Sequence, residues 1–274
     1  MKYKTKQAPM KTPHKQGWKV FLGVIALLIW TWMSTMAAQL VVGYLMVLIL
    51  GEDKMSQSVY EAIFSALSYI LTLVLVIFVP TKVTTKWKTI DKNKRIVDGL
   101  KAEADIDRNE LGLRGLPTWT DVGLAPVGFV VSLILAAGLA GLFSLFSWFD
   151  ATESQQLGFS LYATGVDRMI AFVTLVVIAP IVEEIIFRGW LYGKLRNMVT
   201  KSASNAISIV VSSLLVSVLF GLVHAQWNVG VNVFALSIVM CALREITGTI
   251  YAGILLHMLK NGAAFFLLFV LGIQ

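Results

Sequence analysis

Glu183, Glu184 and Arg188 stand inside or at the edge of an apolar segment that runs from about Met169 to Tyr192. An ionised group in hydrocarbon costs several kcal/mol, about 2.5–3.5 each on insertion scales. A chain that carries three of them there must fold so that they face a cavity or a partner. Other apolar segments supply the partners: His224, Arg244, Glu245, His257, Lys260 and Asn261. The expected structure is a group of membrane helices around a polar chamber, with Glu183 and Glu184 on its wall.

Composition supports the membrane setting. Only 14% of the residues are charged and 57% are hydrophobic, whereas a soluble domain carries roughly 25% charge. The net charge of +7 would suggest a nucleic-acid partner in a soluble protein. Here it fits basic loops on one side of a bilayer, so no nucleic-acid partner is expected. The single cysteine, Cys241, excludes an internal disulfide and a Cys-rich zinc site. It reads as a small buried apolar residue.

In chain order, residues 1–19 form a basic arm, and 20–274 read as a single transmembrane domain. The expected spans are 20–50, 59–79, 121–148, 169–192, 206–227, 229–243 and 250–273. The first is longer than the ~20 residues a crossing needs, so it tilts, kinks at Gly43 or runs beyond the bilayer. Splitting it would give an eighth span. The fold expected is an all-α polytopic membrane bundle of seven to eight helices. Residues 81–120 form the longest polar loop, and part of it, Asp105 to Leu113, is a candidate surface helix. Gly123, Gly128, Gly138 and Gly141 in the third span are candidates for close helix approach. Ser208, Ser212 and Ser213 read as packing polarity.

The arm, the long loop, the stretch after the Glu pair and the Arg244 turn carry 6, 9, 4 and 1 basic residues, 20 of the 23 Lys and Arg. The positive-inside rule then puts the N-terminus in the cytoplasm. The expected location is the plasma membrane of a bacterial cell, since the short N-terminus shows no targeting sequence. Arg188 would lie near the cytoplasmic surface. One feature conflicts with straight helices: Glu183 and His224 would differ in depth by roughly 20 Å at ~1.5 Å per residue. Either the fifth helix starts below the surface, or the Ala225–Gly230 turn is buried in a polar cavity.

Spacing assigns faces. Glu184 and Arg188 are i,i+4 and can pair. Glu183 is ~100° away around the helix and points elsewhere. His257 with Asn261 and Phe220 with His224 repeat the i,i+4 relation. A carboxylate with imidazoles can deprotonate a water, and an imidazole with a carboxamide can donate to an oxyanion. Water-driven peptide hydrolysis needs both. The same two Glu and two His also suffice as zinc ligands, with Glu183, His224 and His257 as the set. Arg244 and Glu245 read as a helix-end anchor, Lys260 as a snorkelling or paired group, and His14 as solvated.

Three motifs stand in order: Glu-Glu-x-x-x-Arg at 183–188, Phe-x-x-x-His at 220–224 and His-x-x-x-Asn at 257–261. With Thr247-Gly248-Thr249-Ile250 before the third, they resemble the CPBP (ABI) family of intramembrane proteases, which includes the type II CAAX prenyl endopeptidases. The likeness covers about residues 167–266. It implies that Glu183 activates water with help from His224, that Glu184 and Arg188 form a supporting pair with Phe220 nearby, and that His257 and Asn261 form an oxyanion hole. It implies no cofactor, and as partners a hydrophobic peptide or membrane-protein substrate and the lipid bilayer.

Two other functions compete with the endopeptidase. The same family fold is associated with non-catalytic scaffolding, in bacteriocin immunity or regulation of a sensor kinase. A scaffold could lose the motif set, and here it is complete. Glu and His within helices also make proton relays, but a transporter is disfavoured by the absence of a visible internal repeat.

Overall fold

The computed structural model describes residues 13–50, 57–80, 110–153, 165–200 and 203–272. Among these residues there is no strand, and seven helices are long and apolar enough to cross a membrane. They are α1 (Pro13–Leu50), α2 (Gln57–Leu73, continued by a π-helical Val74–Phe78), α3 (Trp119–Phe143), α4 (Gly165–Val199), α5 (Asn205–Leu222), α6 (Trp227–Thr247) and α7 (Tyr251–Val270). Most of the arm, residues 81–109 of the long loop and most of the 105–113 segment lie outside the described residues. So does the His14 side chain, although its backbone belongs to α1.

Local chemistry sets several helix ends. Pro13 opens α1, where its missing N–H costs nothing. Thr118 and Asp121 form a reciprocal capping box at the start of α3. The second Asp121 oxygen accepts from Thr249 Oγ1 at 3.2 Å, which ties α3 to the turn between α6 and α7. Gly248 closes α6 at φ +71°, a conformation that favours glycine. Ser204 caps α5 through the Ile207 N–H.

The core lies where α6 packs against α3 and α5 and where α7 packs against α3. α6 is the most buried helix and α1 the least. Of the four glycines expected to allow close approach in the third span, Gly128 does so: a side chain there would meet Leu256, Leu243 and Val239 at 3.1–3.4 Å. Gly123, Gly138 and Gly141 face open space instead, because they lie on other sides of α3. The α5 and α6 backbones approach closely: a Cβ on Gly221 would sit 2.9 Å from the Gly230 carbonyl oxygen.

Several spans end elsewhere than expected. α3 stops at Phe143, because the apolar 144–149 stretch turns back and packs its aromatic rings on one another and on Trp227. α5 stops at Leu222 rather than continuing to residue 227. α4 runs on past Tyr192 to Val199, because polar partners hold its last turns. Arg196 donates to Glu245 Oε1 at 2.9 Å, to Asn205 Oδ1 at 2.8 Å and to Ser208 Oγ at 2.8 Å. Tyr192 also donates to Glu245, at 2.9 Å. Arg244 donates to the carbonyls of Gly248 and Glu110, so Arg244 and Glu245 do anchor a helix end.

The longer α4 removes the depth conflict. The Arg196–Ser208 bond brings α4 and α5 to one level. From that level Glu183 lies about 13 residues back along α4, and His224 about 16 residues on along α5. At ~1.5 Å per residue, both are roughly 20–24 Å below it.

Candidate active site

The pair of glutamates sits in Ala179–Glu184, a short α-helical stretch between two π-helical segments of α4, Val173–Ile178 and Ile185–Leu191. Such wide turns concentrate at functional sites, since each shifts the phase of the residues beyond it. The two neighbours point to different surroundings.

Glu184 points into the protein. It is fully buried, and its Oε1 accepts from Arg188 Nη1 at 2.8 Å. Arg188 is equally buried, with its guanidinium carbon 4.4 Å from the centre of the Phe220 ring. Arg188 thus sits inside the protein, and α4 continues beyond it to Val199. A pair this deep is costly to break, about 3–5 kcal/mol when one partner is removed. Gly253 of α7 makes room for the carboxylate: a Cβ there would sit 3.1 Å from Glu184 Oε2.

Glu183 points the other way, with its side chain 17% exposed. Its Oε1 accepts from the Tyr69 hydroxyl of α2 at 2.7 Å. Its Oε2 lies 3.8 Å from His257 Nε2. His257 spans both carboxylates, since its Nδ1 donates to Glu184 Oε1 at 3.3 Å. His224 follows the end of α5, next to Ala225 at φ +54°, and its Nδ1 donates to the Phe220 carbonyl at 2.7 Å. That bond leaves Nε2 as the open ring nitrogen. The Phe220 ring stands edge-on to His224 at 5.0 Å and to His257 at 5.9 Å. Asn261 donates to the Leu175 carbonyl at 2.9 Å, inside the first π-helical segment, and keeps a second amide N–H.

Glu183, Phe220, His224, His257 and Asn261 all line one cavity of about 490 Å³. Glu184 and Arg188 lie behind its wall. Lys260 lines it too, so this lysine faces the chamber. The imidazole next to the Glu183 carboxylate is His257, whereas sequence reasoning paired His224 with it.

The opposite wall was missed from the sequence. Glu61, Ser65, Ser68, Tyr69 and Thr72 of α2 and Thr35 of α1 face the same cavity. A signal existed: these α2 residues recur at three- and four-residue intervals, a polar stripe along an otherwise apolar helix.

Among the described residues, no three His, Cys, Asp or Glu side chains are grouped so as to hold a metal ion. The set Glu183, His224 and His257 does not fit a zinc centre.

Residues 165–263 match the family model Rce1-like, described as type II CAAX prenyl endopeptidase Rce1-like. The matched segment begins with α4 and ends two residues after Asn261, so it contains all three motifs. No curated protein and no solved structure matches the chain. The match bears out the resemblance that the motifs carry: this is a multi-pass membrane protein whose site-bearing segment is similar to the CPBP/CAAX membrane proteases.

Proposed function

We propose that this chain is an intramembrane endopeptidase in which Glu183 activates the water that cleaves the peptide bond. The observation that carries the proposal is the split between the two glutamates. One is neutralised behind the wall by Arg188, and the other opens into a polar cavity among His224, His257 and Asn261.

In this reading a water in the cavity loses a proton to Glu183 as its oxygen attacks the carbonyl carbon. His224 Nε2 helps to orient that water. The carbonyl oxygen, as it becomes charged, accepts from the free Asn261 amide N–H and from the Nε2–H of His257, which in this reading carries a proton on each ring nitrogen, with Nδ1–H on Glu184. Such aimed donors are each worth about 10²–10³ in rate. Glu183 then passes its proton to the amine as the C–N bond breaks. The products are a carboxyl and an amino terminus. Glu184 acts through His257, whose Nδ1 it holds.

The apolar surroundings favour a hydrophobic peptide or the tail of a membrane protein as substrate. The distribution of lysine and arginine favours an orientation with the N-terminus in the cytoplasm.

The test is purified protein in detergent micelles with a mixture of internally quenched apolar peptides, the products identified by mass spectrometry. Wild type should give new carboxyl and amino termini, and Glu183→Gln should give none above background. Cleavage by Glu183→Gln at the wild-type rate would remove the proposed base. No Glu183-dependent cleavage of any peptide would favour the scaffold.

A further inference from the structure

The motifs and the matched family segment begin at residue 165, yet one wall of the cavity belongs to α1 and α2. The shortest polar contact made to the Glu183 carboxylate comes from that wall: the Tyr69 hydroxyl donates to Oε1 at 2.7 Å. The two residues are 114 positions apart in sequence, so only the fold brings them together. α2 packs on the first half of α4, which holds Tyr69 opposite Glu183.

We propose that Tyr69 is the positioning residue for Glu183, and that α2 is part of the working site rather than a lipid-facing shell. The inference rests on the reading of Glu183 as the base. A carboxylate turns about its terminal bond, and its two oxygens are equivalent until something distinguishes them. Tyr69 occupies Oε1, while Oε2 faces His257 Nε2 across 3.8 Å. Oε2 is thereby set as the atom that takes the proton from water. A tyrosine suits this task because its ring packs in an apolar wall while its single O–H reaches one acceptor. The next residue along, Ser68, is buried at the same wall, and its hydroxyl has no hydrogen-bond partner among the described residues. α2 thus presents polar atoms to the chamber beyond what its own helix needs.

A hydrogen bond to a charged group contributes about 1.5–3 kcal/mol, which corresponds to roughly 10–100-fold in rate if it acts only on the base. Tyr69→Phe keeps the ring and removes the donor. The experiment measures kcat, KM and thermal midpoint for wild type, Tyr69→Phe and Glu183→Gln, on the fastest-cleaved quenched apolar peptide in micelles. The expected result is kcat lowered about 10–100-fold in Tyr69→Phe, with KM within about twofold and the midpoint unchanged. If Tyr69→Phe turns over like wild type while Glu183→Gln is inactive, the role of Tyr69 is wrong and the base stands. If Glu183→Gln itself retains wild-type turnover, the base reading fails and this inference falls with it. A midpoint that drops in step with kcat would assign Tyr69 to packing and overturn the proposal.

Discussion

The two faces of α4 at residues 183 and 184 differ in what they touch rather than in their chemistry. Both residues are glutamates on one helix. Glu184 meets Arg188, His257 and the bare Gly253 backbone, and is closed off. Glu183 meets a tyrosine hydroxyl, a histidine edge and an open cavity. The difference follows from ~100° of helix rotation. One face pairs its charge with Arg188 and holds His257 from behind the wall. The other turns a carboxylate toward the cavity. The buried pair and the cavity-facing carboxylate use the same residue type, placed one position apart.

The largest effect is expected from breaking the closed face. Arg188→Met should leave Glu184 in the interior without its cation and held only by His257, at a cost of about 3–5 kcal/mol. Thermal unfolding in detergent should show a greatly lowered midpoint. A midpoint near wild type would mean that the pair is not the anchor described.

Next comes the open face. Asn261→Ala should slow turnover by about 10²–10³-fold, the usual cost of one oxyanion donor. Part of that loss would come through the freed Leu175 carbonyl. Asn261→Asp should be slower still, since it sets an anion beside a developing anion. Turnover of both at the wild-type rate would remove Asn261 from the mechanism.

A smaller effect sharpens the boundary between the faces. Gly253→Ala puts a methyl 3.1 Å from Glu184 Oε2 and 3.7 Å from Met240 Cβ. Overpacking of this kind costs about 1–3 kcal/mol. Stability should fall while the KM of the remaining folded enzyme stays near wild type. A changed KM with full stability would show that the faces are not separate.

No effect is expected from chelation. A phenanthroline chelator and its non-chelating isomer should leave the same activity. Loss of activity with the chelator alone, restored by added zinc, would recast Glu183, His224 and His257 as ligands.

Much of this was legible in the sequence because each feature is local. Seven apolar runs separated by polar loops gave seven to eight spans, and the described residues hold seven. The i,i+4 relation gave the Glu184–Arg188 pair, and ~100° of rotation separated Glu183 from it. Helix ends were less legible. The polar turns around Arg196 are held by Glu245, Asn205 and Ser208, and none of those contacts shows in a hydropathy profile. Without those contacts Glu183 and His224 read as lying at different depths. Tyr69 was not legible as a partner of Glu183, because the two meet only through packing of α2 on α4.

The most direct test of the central claim sets Glu183→Gln beside Glu184→Gln and measures kcat and thermal midpoint for each. Glu183→Gln should lose about 10²–10⁴-fold in kcat, the range of a general base, and keep its midpoint. Glu184→Gln should lose several kcal/mol of stability, about 3–5 with Arg188 left unpaired. Its folded fraction should lose only about tenfold in kcat, through a less well held His257. The reverse pattern, an unstable but active Glu183→Gln and a stable but inactive Glu184→Gln, would contradict the account.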